Sequence, residues 1–148
     1  MATLRRHTGR IRYRRAGDVV GSEDFDIDVR ENGRTVRAYC EMAEGALTRD
    51  ASWTLDRAHR PVEGHVRVVQ NGALTGSAWY HFDDAGVNCE AFTADRGRVS
   101  QRLPGRARYL GLHPLIGDGL IALARGKGAR GVAEEVESIT CSYDINGE

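Results

Sequence analysis

The sequence lacks several features that would place it in a particular class of protein. A single lysine, Lys127, stands among 21 basic residues, and 21 acidic residues balance them, so the formal net charge is zero. This balance gives no bulk field that would steer the chain toward nucleic acid or a membrane surface. No apolar run approaches the roughly 18 residues that a membrane-spanning helix needs. We therefore expect neither nucleic acid nor a membrane among the partners.

Cysteine is scarce, and its positions indicate neither a disulfide framework nor a zinc site. Cys40, Cys89 and Cys141 lie far apart without a C-x-x-C pair, so each is interpreted as a small apolar residue of a strand. The first residues also lack the apolar segment of a signal peptide. Together these observations predict a cytoplasmic protein.

Motifs that hold cofactors or activate a serine nucleophile are also missing. The sequence contains no Gly-rich phosphate loop, no dinucleotide fingerprint and no G-x-S-x-G. Its histidines include no H-x-H or H-x-x-x-H spacing, by which one strand or one helix offers a metal two ligands. The sequence therefore predicts no metal and no cofactor.

What the sequence does contain begins with two strands of alternating residues. Arginines alternate with apolar residues over residues 10–14, and aspartates do so over residues 24–29. Folding the chain about Val19 places Arg14 opposite Asp24 and continues as a ladder of such pairs. The basic N-terminal stretch is therefore expected to be neutralised by its neighbour.

Turn signals separate short strands along most of the chain. Asn32-Gly33 and Asn71-Gly72 are strong hairpin signals, and residues 132–145 have the alternation of one long final strand. About eight or nine strands in meander order, with one short helix, predict a mainly β protein, either a strongly curved antiparallel sheet or a β-barrel. The length suits a single domain over residues 1–148. Because the edges of so long a sheet must be paired or covered, a homodimer is also expected.

The apolar stretch over residues 103–124 differs from the strands and turns of the rest of the chain. Its leucines and isoleucines cannot lie in water as an open loop, so we expect the stretch to fold over the sheet and to enclose a pocket. His113 stands before Pro114 within it, where extended geometry is favoured. His113 is therefore a candidate ligand-binding residue.

The turn at residues 44–45 decides which charged residue points toward the apolar side of the sheet. If its loop has two residues, Arg49 lies on the inner face beside Cys40, and if the turn carries a bulge, Asp50 lies there. The sequence leaves both alternatives open. An inward arginine would bind an anion, for which a substrate carboxylate is the natural candidate.

A hairpin turn at residues 83–86 brings the strongest candidates for chemistry together. It pairs Trp79 with Glu90 on one face of neighbouring strands, and His81 with Asn88 on the same face. A histidine beside a carboxylate acts as a general acid or base near neutral pH, and a tryptophan stacks on a ring. The plain alternative is that these are solvated residues of an exposed strand face.

Tyrosines add a second group, because a phenol can hydrogen-bond a phenolic or carboxylate ligand. Tyr80 is predicted on the face opposite His81 and Glu90, so at most one of these two sets faces a ligand. The catalytic candidates are His81, Glu90 and Tyr80, and the ligand-binding candidates are Trp79, His113, Arg49, Tyr13 and Tyr39.

The layout resembles that of a loosely defined group of bacterial curved-sheet, half-barrel proteins. The resemblance rests on the glycine-bounded opening hairpin, on residues 47–56 leading to residues 60–63, and on residues 111–118. More narrowly, the layout is similar to that of small cofactor-free lyases of aromatic-degrading soil bacteria, which release formaldehyde from lignin-derived aromatic dimers. The resemblance covers most of the chain without a diagnostic motif, so it implies a fold and a reaction class and assigns no catalytic residue.

Together these features predict a cofactor-independent lyase or isomerase that acts by acid–base chemistry on a small aromatic substrate, such as a lignin-derived one. A rival hypothesis is a non-catalytic carrier of a lipid or another apolar ligand, which predicts an apolar cavity without paired titratable groups. A third is a structural dimerisation module, in which residues 103–124 pack on a second chain.

Overall fold

Eight antiparallel strands in chain order form one sheet in the computed structural model, which describes residues 5–105, 109–112, 114–129, 131, 133 and 138–140. The strands are β1 (Arg5–Arg15), β2 (Asp18–Arg30), β3 (Gly33–Met42), β4 (Leu47–Asp56), β5 (Pro61–Gln70), β6 (Ala73–Asp83), β7 (Gly86–Thr93) and β8 (Gly97–Pro104). The predicted mainly β meander is confirmed.

A short C-terminal layer follows the sheet. It consists of β9 (Tyr109–Gly111), the helix α1 (Ile116–Arg125) and β10 (Ser138–Thr140), and β10 pairs with β9 in parallel. The short helix predicted in the apolar stretch is α1. The long final strand predicted over residues 132–145 is described only at β10, and the rest of that prediction lies outside the described residues. No helix in the described ranges is long and apolar enough to cross a membrane.

The sheet is open. β1 and β8 form its two edges without pairing with each other, and the sheet is neither closed nor strongly curled. The prediction of a strongly curved sheet or a β-barrel was therefore wrong. Closure is one way to bury an apolar sheet face, and a covering layer is another. Here Leu110, Leu112 and Leu120 of the C-terminal layer are buried against the sheet, so the core forms without closure.

The two faces of the sheet differ sharply, as expected for a sheet covered on one side. We call the face that carries Trp53 and Tyr80 the inner face, and the face that carries Trp79 and His81 the outer face. Trp53 is 2% exposed and packs in the centre of the core. Gly64 lies next to it on the inner face, and the missing side chain leaves the room that Leu110 fills.

The register of the first hairpins differs from the predicted one. β1 turns into β2 at residues 16–17, so that Arg10 pairs with Asp24 and Arg6 with Asp28, four residues away from the predicted pairing. The second hairpin turns at residues 31–32, which shifts its predicted pairs by two residues. Because side chains alternate with period two, both shifts are even and leave every residue on its predicted face. The predicted pairs between β6 and β7, such as Trp79 with Glu90 and His81 with Asn88, are confirmed.

Candidate functional site

Strand β6 separates the predicted catalytic residues onto the two faces of the sheet. Trp79 and His81 lie on the outer face, where their rings stack with centroids 5.6 Å apart, and Trp79 is 43% exposed. Tyr80 is buried on the inner face and pairs with Cys89. The prediction that Tyr80 lies opposite His81 and Glu90 is thus confirmed.

The hydrogen-bond partners of Glu90 are Ser100 and Arg98, whereas acid–base catalysis with His81 would need a contact between Glu90 and the imidazole. Glu90 lies across from Trp79, accepts a hydrogen bond from Ser100, and pairs with Arg98 at 3.2 Å. These hydrogen bonds hold the pKa of Glu90 below its ordinary value, which makes the carboxylate a weak base at neutral pH. Within the described part of the chain, no hydrogen bond joins Glu90 to His81.

Tyr39 also lies on the outer face. It is exposed and borders an open groove of about 500 Å³ between β1 and β4. The groove is lined by paired charges, such as Arg10 with Asp24 at 2.7 Å. Its lining carries two arginines against three aspartates, so the groove has no excess of positive charge that would attract an acidic ligand. The predicted ligand residues Tyr39 and Trp79 therefore lie on the face away from the core.

A polar group interrupts the apolar inner face at Tyr13, Glu23, Cys40 and Arg49, which we call the inner polar group. Cys40 pairs with Glu23 on one neighbouring strand and with Arg49 on the other. Of the two alternatives that the sequence left open, Arg49 is therefore the inward residue. Tyr13 also lies on the inner face, and its hydroxyl donates a hydrogen bond to Glu23.

Glu23 is fully buried and holds the start of α1. Its carboxylate accepts hydrogen bonds from the backbone N–H groups of Leu115 at 2.8 Å and Ile116 at 3.1 Å, and another from the Tyr13 hydroxyl. A negative charge at a helix N-terminus is favoured by the helix dipole and by the unpaired N–H groups there. Sequence reasoning missed Glu23, although its position two residues before Phe25 places it on the apolar side of the alternation.

The inner polar group holds its protons tightly. Burial, together with the hydrogen bond to Glu23, raises the pKa of the Tyr13 phenol, and burial raises the pKa of the Cys40 thiol. Both groups therefore stay protonated at neutral pH and act as hydrogen-bond donors. Arg49 remains the cation beside them.

Arg49 differs from the arginines of the outer face. Its Nε is buried without a hydrogen-bond partner, and among the described residues no carboxylate forms an ion pair with it. By contrast, Arg37 on the outer face pairs with Asp26 at 3.1 Å and with Asp28 at 3.2 Å. The inner polar group thus has a cation that forms no direct ion pair with a described carboxylate, the carboxylate of Glu23 lying on the other side of Cys40.

The remaining predictions concern His113 and metal. His113 lies outside the described residues. Within those residues, no group of three or more histidine, cysteine, aspartate or glutamate side chains is arranged to hold a metal ion. Comparisons of the chain with protein-family models, curated proteins and solved structures find no match.

Proposed function

We propose that the protein binds a small organic acid with an aromatic or otherwise apolar body on the inner face of its sheet. We further propose that it acts on this molecule as a metal-free lyase or isomerase. The observation that carries the proposal is the half-buried guanidinium of Arg49 on the inner face beside Cys40, whose buried Nε has no hydrogen-bond partner.

A charge turned toward a core face is costly unless an opposite charge or hydrogen-bond acceptors compensate it. Arg37 and Arg98 on the outer face each form an ion pair with a carboxylate, and Arg49 lacks such a pair among the described residues. A ligand carboxylate would supply two acceptor oxygens in the geometry that a guanidinium fits best. The apolar residues around Arg49 favour a ligand whose body is itself apolar.

The acid–base part of the proposal assigns the proton donor to Tyr13. Its raised pKa keeps the hydroxyl protonated, so it can donate to an oxygen on which negative charge develops. Glu23 is the carboxylate next to it, and a substrate hydroxyl would reach Glu23 by taking the place of the Tyr13 hydroxyl. Formaldehyde release from a hydroxymethyl side chain needs such a pair. The base takes the alcohol proton, and the C–C bond to the hydroxymethyl carbon breaks. Its electron pair forms a C=C bond as an ether or phenolate oxygen leaves and takes the proton of the acid.

A non-catalytic carrier is the second candidate, and one observation favours it. Glu23 already accepts hydrogen bonds from Tyr13, Leu115 and Ile116, which leaves the carboxylate occupied in holding α1. In that case Arg49 would anchor an acidic ligand without any proton transfer.

A binding screen followed by a turnover assay tests both candidates. The purified protein is heated with aromatic acids, phenolic dimers and fatty acids, and a ligand at 100 times its Kd should stabilise it by about 2.7 kcal/mol. The same screen on Arg49→Gln should lose the shift, while Arg37→Gln, the outer-face control, should keep it. Consumption of a bound phenolic dimer with formaldehyde release supports the lyase, and binding without consumption supports the carrier. A shift that survives Arg49→Gln contradicts both.

A further inference from the structure

A second cation that forms no ion pair with a described carboxylate lies on the inner face at Arg34. Arg34 pairs with Leu55 across β3 and β4 and is partly buried. Its Nε is buried without a hydrogen-bond partner, and so is the Nε2 of His59, in the loop that follows β4. The two side chains are close enough for the charge of Arg34 to act on the imidazole of His59. Two unpartnered buried nitrogens therefore lie in one neighbourhood.

The loop between β4 and β5 fixes the position of His59. One carboxylate oxygen of Asp56 accepts hydrogen bonds from the backbone N–H groups of Ala58 at 2.8 Å and Arg60 at 2.9 Å. The other oxygen accepts a hydrogen bond from the side-chain Nε of Arg60 at 2.7 Å. His59 itself has a φ of +63°, a left-handed conformation that costs a non-glycine residue energy. The imidazole is thus held in place by a loop whose hydrogen bonds are satisfied without it.

His59 lines a crevice between the sheet and α1. Trp53, Tyr109 and Leu120 form its other walls, and its volume is about 10 Å³. A space of this size accommodates one water molecule or one ligand oxygen. The crevice is therefore suited to one oxygen of a larger group whose remainder lies outside it.

The electrostatics around Arg34 and His59 favour a negative group. Burial, and after it the charge of Arg34, lowers the pKa of His59, so the imidazole is neutral at neutral pH. The nearby acid, Asp56, is bound to Arg60 at 2.7 Å. In the described ranges no carboxylate pairs with Arg34, whereas Arg37, three residues along the same strand, has two.

We propose that Arg34 and His59 form a subsite for the oxyanion of a small ligand, a carboxylate or a phosphate group. Arg34 binds it through its guanidinium, and His59 donates a hydrogen bond from Nε2 to the oxygen that enters the crevice. The subsite is distinct from Arg49, because six residues of strand separate the two positions, a distance of about 20 Å. It stands independently of the proposed function.

Calorimetric titration with two probes that share a phenyl ring tests the subsite. Benzoate offers the carboxylate and phenyl phosphate the phosphate group, so the tighter binder identifies the preferred head group. Arg34→Gln and His59→Asn are each combined with Arg49→Gln, so that the Arg49 site cannot bind the probes. Each should weaken binding at least 10-fold relative to Arg49→Gln, which corresponds to about 1.4 kcal/mol. Asparagine is chosen because it tolerates a positive φ. The matched control is Arg37→Gln, which should bind as the wild type does.

Four outcomes of this titration support or overturn the subsite. Loss of binding in both variants, with the control unchanged, supports the subsite. The subsite is overturned if neither probe binds the wild type at a concentration of about 10 mM, because the affinity is then weaker than millimolar. Unchanged binding in both variants overturns it as well. Arg49→Gln separates the two proposals, since loss of binding in that variant alone supports the proposed function and overturns the subsite. Should His59→Asn fail to fold, Arg34→Gln still decides, because removing an uncompensated cation is tolerated.

Discussion

Glu23 accepts a hydrogen bond from the backbone N–H of Leu115, 2.8 Å away and 92 residues later in the chain. Leu115 is the N-cap of α1 and offers no capping side chain of its own. The start of α1 therefore depends on a carboxylate from the second strand. This contact links the early hairpins to the layer that covers the core, so the position of α1 over Trp53 depends on a residue distant in sequence.

Glu23→Gln should therefore destabilise the protein. One carboxylate oxygen accepts from Ile116, and the other accepts from Leu115 and the Tyr13 hydroxyl. Glutamine replaces one of these oxygens by an NH₂ group, so at least one buried N–H loses its acceptor. The expected loss in the free energy of unfolding is about 1–3 kcal/mol, measured by urea unfolding. Glu44→Gln is the matched control, because Glu44 forms an exposed ion pair with Arg15 and should change little. Equal stabilities of the two variants would show that Glu23 does not hold α1.

The phenol of Tyr13 should make the protein sensitive to alkaline pH. Burial and the hydrogen bond to Glu23 raise its pKa above the ordinary value of 10.0. The unfolded chain therefore releases this proton first, and the contribution of Tyr13 to stability, full below pH 10, falls as the pH rises beyond it. Unfolding free energies at several pH values above and below 10 should show a steeper fall in the wild type than in Tyr13→Phe. Tyr39→Phe, which removes an exposed phenol, should fall as the wild type does.

The assignment of residues to faces could be predicted from the sequence, and the exact register could not. Tyr80 and His81 fall on opposite faces because side chains in a strand alternate, and nothing else in the fold alters that. Arg10 was paired four residues away from its true partner, because an even shift keeps the same faces and again sets arginines opposite aspartates. The register is set by a short turn that has Ala16 at φ +50°, followed by Gly17. The dipeptide Ala-Gly predicts a hairpin turn less strongly than Asn-Gly does.

The functional residues that sequence reasoning missed depend on tertiary contacts. Glu23 stands in an acidic run that resembles a solvated strand, and only the arrival of α1 gives its carboxylate N–H partners. His59 stands in a polar loop, and its role arises from Arg34, which lies 25 positions earlier in the chain. The closure of the sheet was mispredicted for a related reason, since meander order fits a barrel and an open covered sheet equally well.

Gly64 should be intolerant of any side chain. A Cβ at this position would overlap a methyl group of Leu110 and approach the Cβ of Trp53 to 3.4 Å. Gly64→Ala should therefore lower the free energy of unfolding by about 1–3 kcal/mol through overpacking. Gly119→Ala in α1 is the counterpart, because the nearest side-chain atom, on Ile116, would be 4.0 Å away. That change should raise stability by up to about 1 kcal/mol through helix propensity. Thermal unfolding of both variants would be measured, and a neutral Gly64→Ala would contradict the packing of Leu110 on the sheet.

Substitutions on the two faces of the sheet should have different effects on ligand binding. His81 and Glu90 point away from the inner polar group, and Glu90 is bound to Ser100 and Arg98. A ligand at Arg49 therefore lies on the far side of the sheet from both of them. His81→Gln and Glu90→Gln should leave the Kd for an aromatic acid unchanged, whereas Arg49→Gln should weaken it at least 10-fold, or about 1.4 kcal/mol. Calorimetry on the three variants makes the comparison. Weaker binding in His81→Gln with Arg49→Gln unaffected would move the site to the outer face, where Trp79 stacks on His81.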